Sequence, residues 1–310
     1  MKFAAVAMVK NECDIIELFI KINSRFFDHI YFLDHMSNDN TLKIINLMLA
    51  KGYNISYRII TDKAYNQSIE TSSEVRRIAK LNLYDVIMPL DADEFISIEN
   101  SFDFKKIILD TVSLYGIAYI PWSTYVPESS DYFNISAPLY SIFKKRKIEY
   151  NQFYKIFISN NYALNCTIEM GNHHATNPNV NITSIPILPL QLMHVPIRSA
   201  KQVIRKVLLG SHSFSLKIDR KEGEGFHWEI MAQHIRSNNY ELNYTHLFNF
   251  GMNYAVHGDE IKINELDLNC ERIGLIEDDF EFRDLARINI LESFDKEINE
   301  LIIYFKNKSI

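Results

Sequence analysis

The stretch DVIMPLDADEFI, residues 85–96, decides the fold prediction. Its apolar run, Val86–Leu90, has the length and composition of a buried strand. Three acidic residues follow within four positions: Asp91, Asp93 and Glu94. Carboxylates repel one another and are costly to remove from water. We therefore expect either a positively charged partner at this strand end or full exposure of the acids to solvent.

The segments before this stretch alternate between two patterns. Residues 3–9, 29–33 and 54–60 are apolar runs that predict strands. The stretches between them space their apolar residues as a helix does, and Gly52 is placed to end one of these helices. Strands that alternate with helices of this length form βαβ units. We predict an α/β fold with a Rossmann-like, mostly parallel sheet flanked by helices.

The pattern changes after about residue 116. Strand-like segments with basic turns follow, and then a helix that we expect to begin after Ser199 and end at Gly210. These changes predict three parts: residues 1–130, a smaller α+β half at 131–260, and a C-terminal helical tail at 261–310. The apolar residues of the tail lie on one helical stripe. They are Leu291, Phe294, Ile298, Leu301, Ile302 and Phe305.

Composition excludes several classes of protein. Of 310 residues, 47% are hydrophobic and 23% charged, which argues against disorder. The net charge of −6 does not fit a nucleic-acid-binding protein, and we expect no nucleic-acid partner. Cys13, Cys166 and Cys270 are scattered, which predicts a reduced, cytoplasmic setting without a zinc site.

The first residues, MKFAAVAMVKNE, have the apolar character of a short signal peptide. Charge returns at Lys10 and Glu12, however, so we interpret the segment as a buried first strand. No apolar run approaches the ~20 residues that a membrane-spanning helix needs.

The acids after the fourth predicted strand suit a ligand site. Ligands of parallel sheets bind beyond the carboxyl ends of the strands, and Asp34 follows a second such end. Alternate side chains of an extended segment share a face, which places Asp91 beside Asp93. Paired carboxylates favour a hard divalent cation, and such a cation stabilises a diphosphate leaving group. The alternative is a solvated turn in which Asp93 or Glu94 caps a helix; we favour the metal site.

Five segments together resemble the inverting GT-A-type glycosyltransferases of the family-two kind, in particular a bacterial branch. They are AMVKNE (7–12), FLDHMSNDNT (32–41), LDADEF (90–95), HVPIRSAKQVIRKV (194–207) and GFHWEI (225–230). The resemblance covers most of residues 1–235. It implies a GT-A-like fold in which residues 1–130 bind a nucleotide sugar and residues 131–260 bind the acceptor.

The resemblance also implies roles for individual residues. Asp91 and Asp93 form the D-x-D pair, which contacts the metal and the ribose–diphosphate region. Asp34 contacts the base, typically uracil, and Glu12 and the backbone of Val9 line the nucleotide pocket. An N-terminal acid that complements the dipole of the following helix is an equal alternative for Glu12.

The chain departs from the family pattern after the second strand, where D-N-x-S-x-D reads D-H-M-S-N-D. Asp34, Ser37 and Asp39 match this pattern, and Asp39 is also placed to cap the following helix. This departure bears on the specificity for the base.

His194 and Arg198 are the remaining residues of the predicted metal–nucleotide site. In the resemblance His194 completes the metal shell, and an imidazole ligand favours Mn²⁺ over Mg²⁺. The alternative is a satisfied core histidine. Arg198 begins a basic helix whose start is suited to a diphosphate, and the alternative there is a solvated face.

An inverting transfer needs a general base for the acceptor hydroxyl. The sequence offers His173, Glu169 and Asp131, in that order of preference. For each of them alone, an exposed loop position is the competing interpretation.

The expected function is that of a metal-dependent inverting glycosyltransferase of the hexosyltransferase type. It takes a nucleotide sugar, a UDP-sugar, and modifies a hydroxyl of a glycan or lipid-linked acceptor, such as lipopolysaccharide or capsule, at the cytoplasmic inner face of the membrane. The tail stripe predicts a helix packed on the rest of the chain or on a second subunit of a homodimer, and peripheral membrane contact is the alternative.

Two other function classes are alternatives. One is a metal-dependent hydrolase that uses His173, His174 and His194, although no H-E-x-x-H spacing is present. The other is a non-catalytic, glycan-binding relative of the transferases.

Overall fold

The computed structural model describes residues 1–62, 66–96, 101–127, 145–147, 149, 152–181, 184–215, 226–254, 266–267 and 281–308. The predicted base Asp131 and the thiol of Cys270 lie outside the described residues.

The strands of the described part are β1 (Phe3–Val9), β2 (His29–Asp34), β3 (Ile55–Ile59), β4 (Val86–Asp91), β5 (Glu94–Ile96), β6 (Ile117–Val126), β7 (Lys145–Lys147), β8 (Tyr154–Ser159), β9 (Thr167–Ile168), β10 (Ala175–Thr176), β11 (Leu192–His194) and β12 (Leu266–Asp267).

The helices are α1 (Ile16–Asn23), α2 (Thr41–Ala50), α3 (Gln67–Leu81), α4 (Ser101–Tyr115), α5 (Asn160–Ala163), α6 (Ala200–Ser215), α7 (Phe226–Ser237), α8 (Tyr244–Met252) and α9 (Ile290–Lys308), with a 3₁₀ turn at Met170–Asn172. None of the helices in the described residues is long and apolar enough to cross a lipid bilayer.

The described strands form one large sheet in the order β12-β7-β6-β8-β4-β1-β2-β3, with β11 and β5 attached beside β6, and a separate pair of β9 and β10. Strands β3, β2, β1 and β4 are parallel neighbours, whereas β8 runs antiparallel between β4 and β6. The predicted α/β fold with a mostly parallel sheet flanked by helices is confirmed, and the pair of β9 and β10 forms a small second sheet.

Register places the predicted site residues on one edge of this sheet. Val9 pairs with Asp34, and Met8 pairs with Asp91, so the carboxyl ends of β1, β2 and β4 meet there. Strand β11 pairs with both β5 and β6 and sets His194 opposite Glu94. Residues about 100 positions apart in the sequence are thereby brought to the end of β4.

Helices cover both faces of the central strands. Ala5 and Ala7 of β1 face one hydrophobic core with α1 and α2, whereas Ala4 and Val6 face a second core with α3. Since side chains alternate along a strand, two covered faces require apolar residues at successive positions. This requirement explains the continuous apolar run at residues 3–9.

The sheet continues past residue 130, because β7 and β8 both pair with β6. The division into three parts at 130 and 260 stays a prediction. Helix α9 packs with a polar face: Ser293 and Glu297 are buried, whereas Leu291 is 82% and Ile298 55% exposed. Leu291 and Ile298, two members of the predicted apolar stripe, therefore face solvent.

Three local predictions can be compared with the structure. Gly52 ends α2 with a backbone φ of 89°, as expected. Gly210 does not end α6, which runs to Ser215; it lies where the ring of Trp228 approaches, 3.1 Å from where a Cβ would be. The segment YALNCTIEM, residues 162–170, has the pattern of a strand, but this prediction is wrong for its first half. Its first two residues belong to the short helix α5, which the side chain of Ser159 caps.

Two glycines with left-handed backbone form a matched pair for a stability test. A Cβ on Gly52 would meet no heavy atom within 4 Å, whereas a Cβ on Gly116 (φ 82°) would lie 2.5 Å from Cδ2 of Tyr162. We expect Gly52→Ala to cost about 1 kcal/mol of unfolding free energy, and Gly116→Ala about 1–3 kcal/mol more because the Tyr162 ring must move. Urea unfolding of both variants measures the difference, and equal losses would contradict the packing described for Gly116.

Candidate functional site

The side chain of Asp91 is held by three donors. Lys155 Nζ lies 2.5 Å from its Oδ2, and Gln67 Nε2 and Asn172 Nδ2 donate to its Oδ1 at 3.0 and 3.2 Å. Lys155 is 0% exposed and also donates to the Gly171 carbonyl at 2.7 Å. The positive partner expected at the end of β4 is therefore a buried lysine from β8.

Lys155 also forms an ion pair with Glu94, 3.0 Å away. Burial raises the pKa of Glu94 to about 8, although Lys155 opposes the shift. Burial alone would lower the pKa of Lys155, but Asp91 and Glu94 raise it well above its ordinary value. The lysine therefore keeps its charge, and its stability in the interior depends on these acids.

Asp93 has a different set of partners. The segment is not extended through it, because residues 92–93 form a turn between β4 and β5. Lys206 Nζ lies 2.7 Å from Oδ2 of Asp93, Arg198 NH1 3.5 Å from the same oxygen, and His194 Nε2 3.7 Å from Oδ1. Burial opposes ionisation, but Lys206, His194 and Arg198 together hold the pKa of Asp93 well below its ordinary value.

Arg198 lies at the centre of an ion-pair network with 1% of its side chain exposed. Its Nε is 2.7 Å from Asp14, and a second nitrogen contacts Glu12. Burial raises the pKa of Glu12, and the positive charges of Lys206 and Arg198 oppose that shift. Arg198, the predicted diphosphate contact, is thus engaged by carboxylates in this structure, and its contact with a nucleotide stays a prediction.

The loops after β1 and β2 are joined through Asn11. Its backbone φ is 57°, and its Oδ1 accepts hydrogen bonds from the backbone N–H groups of Asn38 at 2.8 Å and Asp39 at 3.3 Å. Its own N–H donates to Ser37 Oγ at 2.9 Å. Arg205 adds an ion pair with Asp39 at 2.9 Å. The AMVKNE and FLDHMSNDNT segments therefore form one hydrogen-bonded unit.

Asp39 stabilises the start of α2, as expected for a capping residue. Its Oδ1 accepts from the backbone N–H of Thr41 at 2.8 Å and from the Thr41 hydroxyl at 2.5 Å. The residue at the cap position itself is Asn40.

Asp34, the predicted base contact, is fully buried at the end of β2. Its Oδ2 accepts from the Ser37 N–H at 3.0 Å, and burial raises its pKa although Ser37 opposes the shift. Its Oδ1 has no hydrogen-bond partner, and neither does Nδ2 of the nearby Asn11. Glu12 and Val9, the other predicted pocket residues, are also buried; Val9 is the strand partner of Asp34, and its carbonyl accepts from the His35 N–H at 2.8 Å.

Aromatic side chains pack around His194, beside the acids. The ring of Trp122 stacks on His194 with centroids 4.5 Å apart and meets His173 edge-on at 5.2 Å. Tyr254 meets His194 edge-on, with ring centroids 5.1 Å apart, and lies 6.3 Å from the ring of Trp122. Burial lowers the pKa of His194 to about 3, so the imidazole is neutral at physiological pH, and its Nδ1 has no hydrogen-bond partner.

The predicted bases are placed differently from one another. His173 donates from Nδ1 to the Tyr154 carbonyl at 2.8 Å, which leaves Nε2 as an acceptor, and burial lowers its pKa to about 4. Nε2 rests against Gly171, where a Cβ would be 2.6 Å away. Glu169 is exposed, and its backbone bonds with His174 and Asn172.

The hydrolase alternative requires histidines that converge on one point. His174 instead stacks on Tyr119 at 5.8 Å, away from the neighbours of His194. Within the ranges that the structure describes, no three His, Cys, Asp or Glu side chains are arranged to hold a metal ion. A catalytic zinc has three protein ligands, so this alternative finds no support in the described residues.

Asp93 and His194 nevertheless fit a cation whose shell is completed by substrate. The two donor atoms are 3.7 Å apart, and the imidazole is neutral. Ligand bonds of about 2.1 Å from each atom can meet at one ion across such a gap. Magnesium-type sites commonly use one or two protein ligands together with the phosphates of a nucleotide. Both oxygens of Asp91, in contrast, are already hydrogen-bonded.

The sequence did not reveal three residues of this site: Lys155, Asp14 and Gln67. Lys155 is recognisable from the sequence pattern, because it is a single charge within the apolar segment 153–158. A buried charge requires a partner. Asp14 and Gln67 are not recognisable in this way, since their roles depend on contacts across the fold.

Comparisons with known proteins identify no family. No family model and no curated protein matches the sequence. Among solved structures, the chain is similar to S. aureus TarS 1–349 (11% identity, TM-score 0.35, 77% of this chain and 74% of that chain). It is also similar to GalNAc-T7 with UDP, GalNAc and Mn²⁺ (12%, 0.38, 77% and 55%).

A third similar structure is glucosyl-3-phosphoglycerate synthase from Mycobacterium tuberculosis in complex with Mn²⁺, UDP and phosphoglyceric acid (18%, TM-score 0.26, 39% of this chain and 42% of that chain). Scores this low carry no argument about function.

Asn11 offers a direct test of the junction between the two loops. Asn11→Ala removes the acceptor for two backbone N–H groups. It also replaces asparagine, which tolerates a positive φ, with alanine, which adopts it at a cost. We therefore expect a loss of about 2–4 kcal/mol of unfolding free energy. Asn11→Gly removes the same acceptor but tolerates the backbone, and we expect it to lose about 1 kcal/mol less. Chemical denaturation measures both losses. An alanine variant as stable as the wild type would contradict this role of Asn11.

Proposed function

We propose that this chain is a glycosyltransferase that transfers a sugar from a nucleotide donor, a UDP-sugar, to an acceptor hydroxyl with the help of a divalent cation. The observation that carries the proposal is the group of buried, charge-paired acids at the carboxyl edge of the sheet, with Asp93 and the neutral imidazole of His194 only 3.7 Å apart.

The base end of the proposed nucleotide site is supported by two buried atoms without partners, Asp34 Oδ1 and Asn11 Nδ2. Asp34 Oδ1 accepts a hydrogen bond and Asn11 Nδ2 donates one. This pair complements the N3–H and a neighbouring carbonyl of uracil. Both atoms are covered in this structure, so a base reaches them only after the groups that cover them move.

For the metal, we propose Asp93 and His194 as protein ligands and Asp91 as the neighbouring acid of the D-x-D pair. When bound, the cation supplies positive charge that stabilises the diphosphate leaving group. Arg198 holds Glu12 and Asp14 in place around the site. Asp91, fixed by Lys155, Gln67 and Asn172, is suited to orient the ribose–diphosphate region.

For the general base, we propose the order His173, Glu169, Asp131. His173 is the first because its Nδ1–H bond to Tyr154 fixes the tautomer and leaves Nε2 as the acceptor. A base in this half of the chain would take the proton of the acceptor hydroxyl during a single displacement with inversion. As the acceptor we propose a surface glycan or lipid-linked glycan, such as lipopolysaccharide or capsule, assembled at the cytoplasmic face of the membrane.

Binding of UDP in the presence of Mn²⁺ tests the proposal. Calorimetry should show saturable UDP binding to the wild type with Mn²⁺, and at least roughly tenfold weaker binding to Asp93→Asn, which lacks one charge of the proposed metal ligand. Asp284→Asn is the matched control, because Asp284 is an exposed acid outside the site, with 88% of its side chain accessible. The control should bind as the wild type does.

Two outcomes would contradict the proposal. One is a wild type that binds no UDP with Mn²⁺ present. The other is equal UDP affinity in Asp93→Asn and wild type, with both proteins folded.

A further inference from the structure

Lys206 is a cation in the site whose role is not explained by the proposed chemistry alone. Its Nζ lies 2.7 Å from Oδ2 of Asp93 and 3.4 Å from Oε1 of Glu12. Lys206 lies on α6, two turns after Arg198 in the sequence. Lys206 therefore contacts Asp93, the carboxylate that we propose as a metal ligand.

The charges around Lys206 explain why a cation is needed there. Three carboxylates, Glu12, Asp14 and Asp93, face two positive side chains, Arg198 and Lys206. Arg205 also reaches Asp14, at 3.9 Å, but its closer partner is Asp39, at 2.9 Å, so these two additional charges cancel. With Lys206 in place, the group carries one net negative charge. Without Lys206 it carries two net negative charges, which a divalent cation would neutralise.

Lys206 and Arg198 differ in their freedom to move. Arg198 is 1% exposed and is bound by three carboxylates. The side chain of Lys206 is 30% exposed, and a lysine ammonium is a point charge on a flexible four-carbon stem. The lysine can therefore leave Asp93 without unfolding α6, whereas the arginine cannot leave without stranding buried acids.

We propose that Lys206 is an internal competitor for the divalent cation: its ammonium occupies Asp93 in the free protein and moves to the diphosphate when nucleotide and metal bind. This inference rests on the proposed function. It predicts that the free protein binds the metal weakly and that nucleotide and metal bind together, since the diphosphate both ligates the metal and accepts the displaced ammonium.

The two roles of Lys206 predict opposite effects of its removal. Without the ammonium, Asp93 and Glu12 attract a cation more strongly, so Lys206→Met should bind Mn²⁺ alone roughly tenfold more tightly than the wild type. The diphosphate loses a charged partner, so the same variant should bind UDP several-fold more weakly in EDTA. A residue with only a structural role would not move these two affinities in opposite directions.

The experiment measures free Mn²⁺ by electron paramagnetic resonance during titration without nucleotide, and UDP binding by calorimetry in EDTA. Lys201→Met is the matched control: Lys201 is an exposed lysine on the same helix, and its loss should leave both affinities unchanged. Lys206→Arg retains a competing charge and should bind Mn²⁺ as weakly as the wild type. Lys206→Gln is measured as well, so that a folding defect of one variant does not remove the test.

The outcomes separate this inference from the function that it rests on. If UDP binds with Mn²⁺ but Lys206→Met and Lys206→Gln, both folded, have the Mn²⁺ affinity of the wild type, the competition by Lys206 is refuted and the proposed function stands. If the wild type binds neither UDP nor Mn²⁺ under any of these conditions, both are refuted.

Discussion

The compensation of buried carboxylates at the end of β4 is the constraint on which the rest of the site depends. Asp91, Asp93 and Glu94 follow an apolar strand and cannot be buried as charges without partners. The fold supplies Lys155 from β8 and Lys206 from α6 as those partners. An ionised group in the interior is tolerated where its counter-charge is held in good geometry, and losing one partner leaves the other uncompensated.

This constraint also links distant parts of the chain. Lys155 joins β8 and the Gly171 turn to the D-x-D segment, and Arg198 joins the start of α6 to the loop after β1. Helix α9 approaches the same edge, where Glu297 lies 3.4 Å from Lys10. A proposed nucleotide site built in this way is fixed at Arg198 and Lys155, whose charges are buried, and adjustable at the partly exposed Lys206.

Local patterns were sufficient to predict the central architecture. Continuous apolar runs predicted parallel strands covered on both faces, and the position of Asp34 and Asp91 after such runs placed them on one edge. The family resemblance brought His194 into the same group, and the structure places it 3.7 Å from Asp93. The predicted ligation of a metal by these residues remains a proposal.

Other features depend on contacts that a single sequence does not encode locally. The helical period of the tail was recognisable, but Glu297 faces inward because Lys10 and Asn38 contact its carboxylate. Gly210 has the composition of a helix stop, yet the helix continues because its missing side chain admits Trp228. Likewise, the basic start of α6 was visible, whereas the carboxylates that its charges meet come from three separate loops.

The most direct measurement is a crystal structure of the protein soaked with Mn²⁺ and UDP, with anomalous data collected to locate the metal. The account predicts a manganese peak within ligand distance of both Asp93 and His194, with uracil at Asp34 and the Lys206 ammonium moved from Asp93 to the diphosphate. A map in which UDP and Mn²⁺ are absent from this edge of the sheet, with Lys206 still paired to Asp93, would contradict it.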